Sequence, residues 1–155
     1  MDSTTRLSPD FNAFIDVCSR HDVRFLIVGD YALAVHGHPR MTKDLDVLVE
    51  ATPENAALLM LALEEFGFGG IGLEAGDVVA PGAVIQLGYP PIRIDILTSI
   101  DGVSFDDAYG HRVDVEIGGR AVPFIGRDQL IANKEATGRL QDLADVERLR
   151  SNDAG

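Results

Sequence analysis

Residues 25–49 read FLIVGDYALAVHGHPRMTKDLDVLV, and this stretch decides the fold. Phe25 to Val28 is a short, wholly apolar run, which predicts a strand that is covered on both faces. Asp44 to Val49 predicts a second strand. Because side chains alternate along a strand, Asp44 and Asp46 project to one face, and Leu45, Val47 and Val49 project to the other, where they can face the core. Two carboxylates are therefore expected side by side.

A glycine turn and a short helix are expected to join these two strands. Gly29 ends the first strand, and Asp30 can cap a helix that runs from Tyr31 to His36. Gly37 is expected to close this helix in the left-handed conformation, with Pro39 just beyond it. The helix is therefore expected to be short.

The rest of the chain alternates between helix and strand patterns. Further helices are expected at 8–21, 52–66, 128–135 and 140–149, and further strands at 83–87, 92–97, 112–117 and 120–125. Residues 67–76 are rich in glycine and are expected to form an irregular loop. Gly118-Gly119 favours a tight antiparallel hairpin between the last two strands. The prediction is an α/β (α+β) fold with a mixed β-sheet flanked by helices.

Length and composition limit the class of protein. The 155 residues are 46% hydrophobic, which fits one domain over 1–155. The polar start of the chain and the lack of a long apolar segment predict a cytoplasmic protein that does not insert into membranes. Cys18 is the single cysteine, which excludes an internal disulfide and a zinc site of several thiolates. The net charge of −12 disfavours long duplex nucleic acid as a partner.

A third acidic residue is expected to join the pair. Asp95 lies between isoleucines at 94 and 96, so it projects to the face opposite theirs. Three converging carboxylates repel one another, and a divalent cation such as Mg²⁺ or Mn²⁺ would offset that repulsion while also binding phosphate oxygens. An Asp-x-Asp pair alone is weak support, because it also occurs on solvated strand edges and at helix N-termini.

The context of the pair carries a family resemblance. Residues 28–33 and 36–47 resemble the signature of the polymerase-beta-like nucleotidyltransferase superfamily, in which a strand, a glycine turn and a short helix precede an Asp-x-Asp strand. Residues 93–97 resemble the third-acid strand of that superfamily. Residues 130–134 and 138–146 resemble the short C-terminal helices of small bacterial members related to the AbiEii toxin and to minimal nucleotidyltransferases.

The resemblance implies a nucleotidyltransferase fold and the transfer of a nucleoside monophosphate from a nucleoside triphosphate to an acceptor hydroxyl. Asp44, Asp46 and Asp95 would bind the metal and carry catalysis, and Asp95 would help to deprotonate the acceptor. The implied nucleotide-binding residues are Gly29, Asp30, Arg40, Thr42, Lys43, Lys134 and Arg139. The acceptor stays open between a protein hydroxyl, an RNA end and a small molecule such as an antibiotic.

Several of these residues have a second interpretation. Asp30 stands where many active members have serine, and an ionised carboxylate accepts hydrogen bonds but repels phosphate, whereas it is well suited to capping a helix. Arg40 and Lys43 can grip phosphates or simply offset the charge of Asp44. Lys134 and Arg139 can contact a ligand or lie on solvated helix faces.

Other classes of protein also use an Asp-x-Asp pair. Phosphatases of the haloacid dehalogenase type place the pair after an apolar strand, whereas here the apolar residues follow it. Metal-dependent glycosyltransferases need a larger domain than this chain provides. The stronger alternative is a module that keeps the fold without catalysis and binds or regulates a partner protein, for example in a toxin–antitoxin pair.

Overall fold

The computed structural model describes residues 8–38, 44–68, 72–89 and 92–151. Within these residues the chain forms seven helices and six strands. The helices are α1 (Pro9–Arg20), α2 (Gly29–Val35), α3 (Pro53–Phe66), α4 (Ala75–Val79), α5 (Phe105–Gly110), α6 (Arg127–Thr137) and α7 (Leu140–Ser151). The strands are β1 (Phe25–Val28), β2 (Asp44–Val49), β3 (Val84–Tyr89), β4 (Ile92–Leu97), β5 (Val113–Ile117) and β6 (Arg120–Phe124).

The strands form one mixed sheet in the order β3-β4-β2-β1-β6-β5. β2 pairs antiparallel with β1 and parallel with β4, while the β3–β4 and β5–β6 pairs are antiparallel hairpins. All four residues of β1 are buried, as expected for a strand covered on both faces. The mixed α/β architecture and the β5–β6 hairpin confirm the sequence prediction.

The longer helices begin and end where the sequence indicates. Ser8 caps α1 by accepting a hydrogen bond from Phe11 N, and Thr52 caps α3 by accepting one from Asn55 N. Gly67 ends α3 in the left-handed conformation, with φ of 106°. In the part of the chain that the structure describes, no helix is long and apolar enough to cross a lipid bilayer.

Two short helices are absent from the sequence prediction. α4 begins in the last two residues of the glycine-rich stretch that was expected to be an irregular loop and continues to Val79, and α5 lies between β4 and β5. Neither helix is long enough to show an apolar period of 3.6 residues. α5 carries a local signal, because Ser104 accepts a hydrogen bond from Asp107 N and caps its first turn.

The two edges of the sheet differ in charge. β5 carries Asp114 and Glu116, whose side chains are exposed. β3, at the other edge, has the sequence VIQLGY and no charged residue. Charged side chains on an edge strand discourage pairing with another chain, so only the β5 edge is protected in this way.

Candidate active site

The sheet brings three carboxylates to one face. Asp46 in β2 is the register partner of Asp95 in β4, and Asp44 lies two residues before Asp46 on the same face. The other face of β2 is apolar, because Leu45, Val47 and Val49 are fully buried. The predicted juxtaposition of Asp44, Asp46 and Asp95 on a single face is therefore present.

A basic side chain that the sequence analysis overlooked lies among these acids. Arg93 Nη2 donates to Asp44 Oδ2 at 3.0 Å, and Arg93 Nε lies 3.2 Å from Asp95 Oδ1. Alternation along β4 explains the position, because Arg93 and Asp95 are two residues apart and share a face. Arg93 thus occupies part of the space between Asp44 and Asp95 and offsets their charge.

Among the three carboxylates, the negative charge of Asp46 is the least offset by a basic neighbour. Burial, together with the negative charges of Asp95, Asp44 and Asp30, raises its pKa to about 7, and Arg93 opposes this only weakly. Its carboxylate packs against the backbone of Gly29. A Cβ built on Gly29 would come within 3.0 Å of Asp46 Oδ2, a separation that real Cβ atoms do not show. Gly29 also has φ of 71°, a conformation that favours glycine.

The chemistry of the donor set fits a hard divalent cation. Three carboxylates supply the oxygen ligands that Mg²⁺ prefers, and Asp95 Oδ1 is buried and accepts no hydrogen bond among the described residues, although Arg93 Nε lies 3.2 Å away. The negative charges of Asp95 and Asp44 add to the effect of burial in raising the pKa of Asp46. Within the described ranges, however, no three His, Cys, Asp or Glu side chains already converge as a formed metal site. A cation bound by Asp44 and Asp95 would compete with Arg93, which already pairs with both carboxylates.

A cleft of about 500 Å³ opens beside Asp46. It is lined by residues from the β1–α2 turn, from β2, from the end of β4 and from α6 and the start of α7. Gly29, Asp30, Lys134 and Arg139, four of the predicted nucleotide-binding residues, share this lining with Asp46. Its volume falls in the range of small-molecule sites. Asp44 and Asp95 are on the same sheet face but are not part of the cleft lining.

The predicted capping role of Asp30 is wrong. α2 begins at Gly29, one residue before Asp30, and its N-cap is Val28 without a side-chain hydrogen bond. Asp30 lies instead in the first turn, where it lines the cleft and contributes to the raised pKa of Asp46. Arg40, Thr42 and Lys43, the other predicted nucleotide-binding residues, lie outside the described residues.

Lys134 and Arg139 differ in solvent exposure. Lys134 is 6% exposed, and its Nζ donates to Asp142 Oδ1 at 3.2 Å and to Asp145 Oδ2 at 2.9 Å. The side chain of Arg139 is 76% exposed, and its Nε donates to Asp142 Oδ2 at 2.8 Å. Hydrogen bonds from Thr137, Lys134 and Arg139 lower the pKa of Asp142 despite its burial. This ion-pair cluster joins α6 to α7 at the wall of the cleft.

Comparison with known proteins identifies the fold. No protein-family model and no curated protein gives a significant match to the sequence. Among solved structures, a protein of Thermotoga maritima provisionally assigned as a nucleotidyltransferase is 18% identical, with a TM-score of 0.59 over 91% of this chain and 88% of that one. The lincosamide antibiotic adenylyltransferase LnuA, solved with lincomycin, is 15% identical, with a TM-score of 0.58 over 94% of this chain and 97% of that one.

A third similar structure is ANT(2")-Ia in complex with adenylyl-2"-tobramycin. It is 14% identical, with a TM-score of 0.56 over 94% of this chain and 87% of that one. At these identities the likeness concerns the fold and not the substrates. The chain therefore has the nucleotidyltransferase fold, with the predicted acids on one face of its sheet.

Proposed function

We propose that the protein is a metal-dependent nucleotidyltransferase that moves a nucleoside monophosphate from a nucleoside triphosphate to an acceptor hydroxyl. The observation that carries the proposal is the register pairing of Asp46 with Asp95, with Asp44 on the same face, in a sheet of nucleotidyltransferase topology. The similarity to adenylyltransferases favours ATP as the donor and a small molecule as the acceptor.

In this proposal Asp44, Asp46 and Asp95 would hold Mg²⁺ or Mn²⁺, which would neutralise charge on the phosphates and help to position the α-phosphate. Asp95 accepts the proton of the acceptor hydroxyl, whose oxygen bonds to the α-phosphorus. The bond from that phosphorus to the oxygen bridging to the β-phosphate breaks, and pyrophosphate leaves. Gly29 allows close approach of the nucleotide, and Lys134 and Arg139 flank it in the cleft. Arg40, Thr42 and Lys43 are proposed to contact the phosphates.

The test is to incubate the protein with Mg²⁺, each α-labelled nucleoside triphosphate and candidate acceptors, and to follow label transfer and pyrophosphate release. Asp44→Asn and Asp46→Asn should each abolish transfer, because both remove a charged oxygen ligand. Asp114→Asn is the matched control, since Asp114 is an exposed aspartate on the edge strand β5. Transfer that persists in both site variants would refute the proposed roles.

One observation favours a second candidate, a module that keeps the fold but binds a partner without catalysis. Asp30 places an additional carboxylate on the cleft lining, where it would repel a triphosphate. Binding of a non-hydrolysable triphosphate with Mg²⁺ separates the two candidates. If the unmodified protein does not bind it but Asp30→Ser does, the non-catalytic module is supported. Asp106→Ser, which alters an acid in the first turn of α5, is the control.

A further inference from the structure

The turn that follows β4 is fixed against α6. Asn133 Nδ2 donates to the backbone oxygen of Asp101 at 2.9 Å, and Ile100 forms an isolated bridge with Val103. Gly102 has φ of 82°, and a Cβ there would come within 3.0 Å of the backbone oxygen of Ala132. The turn therefore has a defined position relative to the cleft.

This turn contributes an apolar and an acidic surface to the cleft. Ser99, Ile100 and Asp101 line it together with Val84 and Leu97. Val84 is 56% exposed although it is apolar, and it is the register partner of Leu97. Val84, Leu97 and Ile100 thus offer an apolar surface beside a carboxylate.

Among the described residues of the cleft lining, carboxylates outnumber basic side chains. Asp30, Asp46, Asp101 and Asp142 supply its carboxylates. Lys134 and Arg139 are the basic residues among the described residues of the lining, and both already donate to Asp142. No described basic side chain forms an ion pair with Asp101 in this arrangement. An anionic acceptor at the turn would therefore be repelled, whereas a cationic group would find an opposite charge.

We propose that the turn Ser99–Gly102 determines acceptor specificity, and that the acceptor is a small molecule with an apolar part and a protonated amine. Asp101 pairs with the amine, and Val84, Leu97 and Ile100 contact the apolar part. The inference rests on the proposed function, because it assigns the acceptor side of the same cleft. It disfavours an RNA end, whose phosphates would face the carboxylates.

The experiment uses three probes that share a phenyl ring and a benzylic hydroxyl but differ in charge. They are phenylethanolamine, which is cationic, styrene glycol, which is neutral, and mandelate, which is anionic. Each is titrated by ligand-observed NMR into the full chain with Mg²⁺, with and without α,β-methylene-ATP, and a short single-stranded RNA is tested in parallel. We expect phenylethanolamine to bind about three- to fivefold more tightly than styrene glycol, the range of a partly exposed ion pair, and mandelate to bind most weakly.

Variants identify the residue responsible. Asp101→Asn should remove the preference for the cation while leaving the affinity for styrene glycol unchanged. Asn133→Ala should reduce the same preference, because it releases the turn from α6. Asp106→Asn, in the first turn of α5 and outside the cleft lining, should change neither affinity.

Two outcomes would overturn the inference: mandelate or RNA binding as well as phenylethanolamine, or a cation preference that survives in Asp101→Asn. The nucleotide titration reports separately on the proposed function. If α,β-methylene-ATP binds and the probes rank otherwise, only the acceptor assignment fails. If the nucleotide does not bind, the proposed function fails, and the ranking measured without nucleotide still tests the turn.

Discussion

The carboxylate of Asp46 packs directly against the Cα of Gly29, so that position 29 has no room for a side chain. We predict that Gly29→Ala lowers the free energy of unfolding by about 3 kcal/mol, since left-handed backbone strain and an overpacked contact add together. Nucleotide transfer should fall with it, because the Asp46 carboxylate is displaced. Urea unfolding and a transfer assay measure the two effects.

Gly82→Ala is the matched control for Gly29→Ala. Gly82 has nearly the same φ, 73°, but a Cβ there would meet no atom within 4 Å. Gly82→Ala should therefore lower the free energy of unfolding only through backbone strain, by about 1 kcal/mol. Equal losses in the two variants would show that the contact with Asp46 has no energetic importance.

The raised pKa of Asp46 predicts a pH dependence of stability in the absence of divalent metal. Its pKa is about 7 in the folded protein and near 3.8 when unfolded, so the folded state binds more protons between these values. The contribution of Asp46 to stability therefore falls as pH rises from about 4 to about 7. Asp46→Asn should remove this fall. Between about pH 5 and about pH 8 the free energy of unfolding of the variant should therefore rise relative to that of wild type by on the order of 2 kcal/mol, a figure reduced for partial solvent exposure.

Urea unfolding of both proteins in a chelating buffer at the two pH values gives the comparison. The relevant quantity is the difference in the free energy of unfolding between wild type and variant at each pH, since titrating groups distant from Asp46 contribute equally to both. A difference that does not change with pH would contradict the electrostatic origin of the shift.

Arg93 offsets two carboxylates that a divalent cation would also bind. We predict that Arg93→Gln lowers the stability of the metal-free protein by about 1–2 kcal/mol, because hydrogen bonds to charged groups are lost. Mg²⁺ should then raise the melting temperature of the variant more than that of wild type, since the cation no longer competes with the guanidinium.

Arg150→Gln is the control for the Arg93 variant, because Arg150 pairs with Glu135 on the surface, with 57% of its side chain exposed. Its response to Mg²⁺ should match that of wild type. If Mg²⁺ stabilises neither wild type nor Arg93→Gln, the proposed metal site is wrong.

Lys134 lies between two buried carboxylates, and its removal leaves both without the one buried positive charge that they share among the described residues. Lys134→Met keeps most of the side-chain volume and should lower the free energy of unfolding by about 3–5 kcal/mol. Arg148→Met is the control, because Arg148 also contacts Asp145, at 3.5 Å, but is 57% exposed. Arg148→Met should lower the free energy of unfolding by less than about 1 kcal/mol. Thermal unfolding compares the two variants, and similar losses would contradict the importance of burial.

Sequence patterns predict the fold and the acid face because these depend on local periodicity. Alternation places Asp44 and Asp46 on one face of β2 and Asp95 opposite Ile94 and Ile96 in β4, and the parallel β2–β4 pairing then brings the three acids to the same face. The same alternation places Arg93 there, so its position could have been predicted by applying the rule to every residue of the strand. The start of α2 could not, because Gly29 begins that helix with a positive φ that the pattern of apolar residues does not reveal.

The features of the cleft that sequence patterns do not predict arise from tertiary packing. The burial of Lys134 depends on how α7 packs against α6, and on Asp142 and Asp145 being within reach of its ammonium group. Asp101 and Val84 come from distant segments and enter the cleft through the docked turn and the β3–β4 pairing. No motif of adjacent residues carries this information.

The uncharged edge strand β3 also has a consequence for how samples of this protein age. Six residues without charge at the rim of a sheet offer backbone groups to a matching strand. In concentrated stocks, self-association is therefore expected to start from that rim, while the opposite rim resists it through Asp114 and Glu116.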